Sequence, residues 1–287
     1  MLNRLFGNYL VEKGKLTSEQ LDSLLPVKQQ FKAEVETIAI VTKVMTSAAV
    51  LELIEKESEN FGEAAVNEGL ITDDKLDDLL VHQSNNFMKF LQLLVNNDYL
   101  SYGDINQELN EFQQKNEFDD GQINALIYDD LEQCIELFVQ LKEPVLKELT
   151  KTLVQTFRRL IDKDVYLEKA DIVPSVQLDK CASQMIIGDM RIKVYISAPG
   201  DDLLSIANRF SGDPYDTVTE DALDSVGEFI NCVIGLFATN MSYDGMSLDM
   251  NSPEYSIEGP FISNETLYVI PVHINGCTVK AVLEVYQ

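Results

Sequence analysis

Two stretches of this chain, FGNYLVEKGKLTSEQLDSLL (6–25) and FGEAAVNEGLITDDKLDDLL (61–80), align without a gap. A unit this short cannot bury its own apolar face, so its copies must stack on one another. A third copy, FLQLLVNNDYLSYGDINQEL (90–109), has lost the second-position glycine, and IAIVTKVMTSAAVLELI (38–54) is a more degenerate fourth. Thr17, Thr46, Thr72 and Ser101 each stand just before a helical pattern. Their hydroxyls suit an N-cap, where the side chain accepts from an otherwise unpaired backbone N–H. Four residues on come Leu21, Val50, Leu76 and Ile105. Thr17 with Gln20 spells a capping box. Gly14 and Gly69 fit the turn between the helices, where a left-handed residue stops the first one. Residues 1–118 are therefore read as an all-α domain of helix–turn–helix repeats.

The polar run KNEFDDG (115–121) marks a break after the repeats. INALIYDDLEQCIELFVQLK (123–142) has helical periodicity and predicts a single helix bridging the halves, over 119–142. Pro144 opens the next helix, since proline suits a first turn. In the second domain, 143–287, MIIGDM and RIKVYIS flank a tight turn at Gly188 and Asp189. Helices follow, then strands after Ser242. The order implies an α+β arrangement, with a mixed sheet packed against long helices.

DALDSVGEFINCVIGLFATN (221–240) sorts into two faces at 3.6 residues per turn. Leu223, Val226, Ile230, Val233, Ile234 and Phe237 form an apolar stripe, and Asp224, Glu228, Asn231 and Gly235 fall opposite. A carboxylate and a carboxamide three apart project side by side. Glycine and asparagine both weaken a helix interior, so this segment needs a well-packed apolar face. Any surface helix shows such a polar stripe, and the helix alone decides nothing about chemistry.

Its surroundings add to it. Asp224, Glu228 and Asn231, with Pro253 beyond them, resemble the signature of the chemotaxis phosphatase family that includes CheX, CheC and FliY. Pro253 stands one residue closer to Asn231 than the family spacing. Residues 144–172 resemble the opening helix and first strand of a CheX domain, 202–213 its short helix, and 267–286 its closing hairpin. The single Glu-x-x-Asn copy is closer to CheX than to the two-copy CheC pattern. Glu57 and Asn60 spell the same motif at a helix end and are read as coincidence.

The resemblance implies an enzyme that hydrolyses the aspartyl phosphate of a CheY-like response regulator. Such hydrolysis depends on positioning and electrostatics. Asn231 is then assigned to orient the attacking water, because a carboxamide offers both donor and acceptor without a repelling charge. Glu228 pairs with a cation of the receiver, such as the lysine beside the phosphorylated aspartate. Asp224 and Gly235 are partner-binding positions at the rim. No cofactor or metal is expected in this chain, the magnesium belonging to the receiver. The resemblance also implies a homodimer through the second domain. A binding module that holds a receiver without chemistry, tethered by the repeats, stays open as an alternative, as does a nucleotide-responsive regulator.

Composition narrows the partners. The net charge of −26 over 287 residues is spread along both halves. It argues against nucleic acid and against anionic membrane surfaces. Cys134, Cys181, Cys232 and Cys277 are scattered without metal or redox spacing, and Cys232 is read as a small buried hydrophobe. His273 alternates with apolar neighbours and is read as a strand residue rather than a ligand. With no secretory pattern and no run of about 18 apolar residues, a cytoplasmic protein is expected. The repeats resemble the N-terminal domain of type II secretion and type IV pilus ATPases, some of which bind cyclic di-GMP. Leu5 and Asn60 stand where those repeats carry arginine, and Arg4 is one place off register. A dianionic dinucleotide wants guanidinium forks, so cyclic di-GMP is not expected here, and a docking or dimerising module is.

Overall fold

The computed structural model describes residues 1–25, 30–56, 60–141 and 143–286. The chain divides into two units, Met1–Asp130 and Leu131–Gln287. Together they give an α+β protein, helical in the first unit and built on a sheet in the second. Glu57 of the coincidental motif lies outside the described residues, while Asn60 caps the helix that follows it.

The first unit contains the repeats as helix pairs. They are α1 (Leu2–Glu12) with α2 (Ser18–Leu24), α3 (Val35–Val41) with α4 (Ser47–Glu55), α5 (Phe61–Asn67) with α6 (Asp73–Val81), and α7 (Asn86–Asn96) with α8 (Tyr102–Lys115). Each pair turns in the same way. The N–H groups of Gly14 and Lys15 reach back to Val11 O and Leu10 O, both at 2.9 Å. Equivalent bonds close the turns at Lys43, Gly69 and Asp98. This is the Schellman arrangement, which needs a left-handed residue at its corner. All four corners have positive φ, from 59° to 71°. Three residues on, the side chains of Thr17, Thr46, Thr72 and Ser101 accept from the backbone of the next helix. Corners at 14, 43, 69 and 98 put the first and third pairs, and the second and fourth, each 55 residues apart. The domain is thus a double unit repeated, with glycine at the first corner of each half and a charged residue at the second.

The second-position glycine has a separate cause. A methyl built on Gly7 would lie 2.2 Å from Leu21 Cδ1, and one on Gly62 would lie 2.7 Å from Leu76 Cδ1. The two helices of a pair touch there. Leu21 is buried whereas Leu76 is half-buried and has room to swing.

Two further contacts tie the first helix to the last pair. Phe6 meets Phe87 and Phe112 edge-on, with ring centroids 5.7 and 5.4 Å apart. Glu108 of α8 is buried and receives Lys13 at 2.8 Å, Lys15 at 2.8 Å and the Tyr9 hydroxyl at 3.0 Å. Burial alone would push the Glu108 carboxyl up, but these three donors hold it below its ordinary value. Arg4 is paired with Asp22 at 2.6 Å, linking α1 to α2.

The expected bridging helix is two helices. α9 (Asp120–Tyr128) ends at Asp129, which takes the left-handed conformation at φ 56°, and Asp130 N bonds Ala125 O at 2.9 Å. Asparagine and aspartate tolerate that conformation better than other residues with a side chain, so the paired aspartates break an otherwise continuous period. α9 belongs to the first unit, with Asn85 Nδ2 donating to Ile127 O at 2.8 Å. α10 (Leu131–Phe138) belongs to the second, against α11 (Pro144–Leu160).

The second unit continues with β1 (Tyr166–Leu167), β2 (Asp171–Gln177), β3 (Cys181–Gly188), β4 (Arg191–Ser197), α12 (Leu204–Ser211), α13 (Glu220–Tyr243), β5 (Leu248–Met250), β6 (Glu254–Ser256), β7 (Phe261–Ile274) and β8 (Cys277–Tyr286). The sheet runs β1-β7-β8-β4-β3-β5, with β2 also on β7 and β6 also on β3. Every pairing among the described residues is antiparallel, which corrects the expected mixed sheet. β3–β4 and β7–β8 are the expected hairpins, closed at Gly188 and at Asn275–Gly276, and a hairpin admits only antiparallel partners; the pairs that join them into one sheet, β4 with β8 and β2 with β7, run antiparallel as well. One face packs on α13. The other carries a smaller apolar cluster of Leu178, Cys181, Tyr195, Ile262, Leu267, Val269 and Val282. Burial on both faces explains why these strands read as continuous apolar runs.

Gly7→Ala is expected to lower stability by about 1–3 kcal/mol through overpacking against Leu21, with Gly62→Ala costing clearly less. Thermal melts of the two variants check the order, and equal losses would contradict the packing account. Glu108 should make the first unit acid-sensitive. Its lowered pKa means that the stability it confers is complete above the ordinary carboxyl value of 4.5 and is lost as pH falls through the lower folded value. Hydrogen-exchange protection in α1 and α8, taken relative to the intrinsic rate at each pH, should therefore fall below about pH 4.5 in the wild type. Glu108→Gln should already be less stable by about 1–3 kcal/mol at pH 7 and show a flatter acid response. Parallel pH responses would rule Glu108 out as the cause.

Candidate functional site

α13 starts where Thr219 accepts from Ala222 N at 3.3 Å, with Glu220 and Asp221 in its positive first turn. It packs on β3, β4, β5 and β6 and also on α11 and α12. The predicted apolar stripe is buried throughout. Phe229, not counted in that stripe, is buried too, its ring 4.7 Å from Phe157 of α11 and 5.8 Å from Phe210 of α12. Burial on more than one side makes α13 apolar and long enough to meet the length and composition of a membrane span, although its apolar residues are spent inside the unit. This qualifies the expectation drawn from apolar runs.

One stripe of α13 is left uncovered. Asp224 and Glu228 are exposed, and Asn231 and Gly235 are half-buried. Glu228 and Asn231 come together, Asn231 Nδ2 facing Glu228 Oε2 at 3.4 Å. Asp224 lies one turn earlier on the same face. Gly235 is not forced by its neighbours, since a methyl there would meet only Met250 Cε, at an ordinary 3.7 Å. Cys232, expected to be buried, is half-buried, because it lies at the edge of this same stripe.

The floor of the site comes from the sheet. β5 pairs with Ile186–Gly188 and β6 with Cys181–Ser183, so the ladder is interrupted at 251–253. Pro253 occupies that interruption, where the missing N–H costs nothing. It rests on Gly227: a methyl on the glycine would be 3.0 Å from Pro253 Cβ. Gln184, on the α13 face of β3, spans the same gap. Its Nε2 donates to Asn251 O at 2.8 Å and to Asn231 Oδ1 at 2.8 Å. The acceptor end of Asn231 is thus engaged from below, and its donor end faces the rim. Sequence reasoning overlooked Gln184 and Asn251. The only signal was one carboxamide inside the apolar strand CASQMIIG.

Among the described residues no three His, Cys, Asp or Glu side chains gather into a metal site. His273 sits in β7 between Glu168 at 2.6 Å and Thr278 at 2.8 Å, stacked on Tyr166. Cys181 is buried, which pushes its thiol up to about 11.

Residues 181–273, about a third of the chain and including α13 and the interrupted ladder, match the family model for the chemotaxis phosphatase CheX. Among solved structures, a chemotaxis protein CheX from Desulfovibrio desulfuricans is similar at 16% identity and a TM-score of 0.44, over 50% of this chain and 100% of that one. A CheC-like superfamily protein from Shewanella sp. PV-4 is similar at 17% identity and a TM-score of 0.44, over 50% and 97%. The CheX–CheY–BeF3–Mg2+ complex from Borrelia burgdorferi is similar at 14% identity and a TM-score of 0.39, over 50% and 98%. No curated protein matches the chain. The second half of this protein carries a CheX-like domain.

Proposed function

We propose that the second unit is a phosphatase acting on the aspartyl phosphate of a CheY-like receiver. The observation that carries this reading is the Glu228–Asn231 pair, projecting side by side from an uncovered stripe of a helix whose apolar face is buried. The match to the CheX family model over the same residues supports it.

The chemistry is hydrolysis of an acyl phosphate. Water oxygen bonds to phosphorus as the bond from phosphorus to the aspartyl oxygen breaks. The aspartate leaves as a carboxylate, and the water's protons go to phosphate and solvent. Asn231 holds the water through its outward N–H, taking one lone pair of the water oxygen and leaving the other aimed at phosphorus. Pre-ordering one molecule in this way lowers the barrier without any covalent role for the protein. Glu228, repelled by the phosphoryl group, pairs instead with a cation of the receiver and aligns the two surfaces. Asp224 and Gly235 extend that contact along α13. The magnesium of the reaction is held by the receiver, and the encounter takes place in the cytoplasm. The repeat unit serves as a docking or dimerising module.

Purified protein should shorten the phosphate lifetime of a CheY receiver charged with acetyl phosphate and Mg2+. Asn231→Ala should lower kcat about 10- to 100-fold with little change in KM. Glu228→Ala should act mainly on KM, because it removes an interface ion pair. Unchanged rates in both variants would refute the assignment. Phosphorylation-sensitive binding with an unchanged phosphate lifetime would make the second unit a receiver-binding adaptor instead.

A further inference from the structure

A carboxamide has a donor end and an acceptor end, and a half-turn about its last bond exchanges them. Which end of Asn231 faces outward decides how it can hold a water. The geometry fixes this through Gln184. Gln184 lies 2.8 Å from Asn251 O and 2.8 Å from the Asn231 side chain. A main-chain carbonyl only accepts, so the end of Gln184 that meets it must be the NH2 group. That same NH2 offers its second N–H to Asn231, which must answer with Oδ1. The Nδ2 group of Asn231 is left at the rim, beside Glu228.

We propose that Gln184 is a positioning residue for the hydrolytic step, locking Asn231 with its NH2 edge outward; this rests on the phosphatase reading above. The argument turns on what the fold itself requires. Gln184 is 1% exposed, and its Oε1 is buried without a hydrogen-bond partner. A buried unsatisfied acceptor destabilises a fold. The two groups that Gln184 serves belong to residues within reach of solvent, Asn251 being exposed and Asn231 half-buried. A leucine at 184 fills similar space between sheet and helix and removes the orphaned oxygen. Stability does not call for a carboxamide at 184, whereas the orientation of Asn231 does. Polar groups kept at a cost to the fold are characteristic of working sites.

The test uses the full chain and a CheY receiver charged with acetyl phosphate and Mg2+. Gln184→Leu should melt at or above the wild-type temperature, lower kcat about 10- to 100-fold and leave KM within about twofold. Gln184→Glu sets a carboxylate against Asn251 O and turns the Asn231 amide round. It should lose kcat to the same extent, and it carries the test if the leucine variant does not fold. Gln184→Leu combined with Asn231→Ala should be no slower than Asn231→Ala alone, because Gln184 acts only through that residue. A merely structural role would add its own loss. Additive losses, or a wild-type kcat in the Gln184 variants while Asn231→Ala is impaired, overturn the positioning role and leave the phosphatase reading standing. A wild-type kcat in Asn231→Ala overturns the water-holding role of Asn231 and the positioning role with it, whereas an unchanged phosphate lifetime with the wild-type chain overturns the phosphatase reading.

Discussion

The second unit depends on how completely α13 is enclosed. Sheet strands lie along one side of it and α11 and α12 along others, so Phe229 as well as the Ile230–Phe237 stripe is removed from water. Each such side chain contributes about 1.5–3 kcal/mol through burial. That enclosure overrides the helix-weakening residues Gly227, Asn231 and Gly235. It also restricts what can be offered to a partner to a narrow stripe through Asp224, Glu228, Asn231 and Gly235, edged by Ser225, Cys232 and Leu236. Glu228 and Asn231 hold that stripe in a fixed geometry because the backbone beneath them cannot move without disturbing the core.

The first unit solves a different problem. Short helices have little stability alone, and here each is stopped and started by the same pair of devices three residues apart. The caps were legible because Thr17, Thr46, Thr72 and Ser101 carry a local chemistry that shows in the sequence. The 55-residue offset already stands in the two ungapped copies, 6–25 and 61–80. What the structure adds is that Lys43 and Asp98 take the same left-handed corner as Gly14 and Gly69, so the degenerate pairs turn as the others do. A charged residue in that conformation leaves no compositional mark. The same blindness hid the corner at Asp129, so two helices from different units read as one. Sheet polarity was misread because the pairs between strands distant in sequence, β2 with β7 and β4 with β8, leave no local mark of their direction.

The site was half legible. Glu228 and Asn231 share a helix face, and periodicity alone places them side by side. Gln184 is 47 residues from Asn231 in sequence, and no local rule links them. Asn251 contributes only main chain, which no reading of side-chain types can detect. Phe229 was passed over because a single apolar stripe was sought on a helix that is covered on several sides, and Cys232 was placed inside for the same reason.

The amide relay beneath the rim begins at a peptide carbonyl and not at a side chain. Its polarity is therefore indifferent to which amino acid occupies position 251, since every residue supplies the same oxygen. It is sensitive instead to chain length. Met250 is held opposite Ile186 and Pro253 against Gly227, leaving two residues to span between fixed points. One residue more or fewer there would slide the carbonyl away from Gln184, so relatives that share this device can vary in letters at that crossing while keeping its spacing.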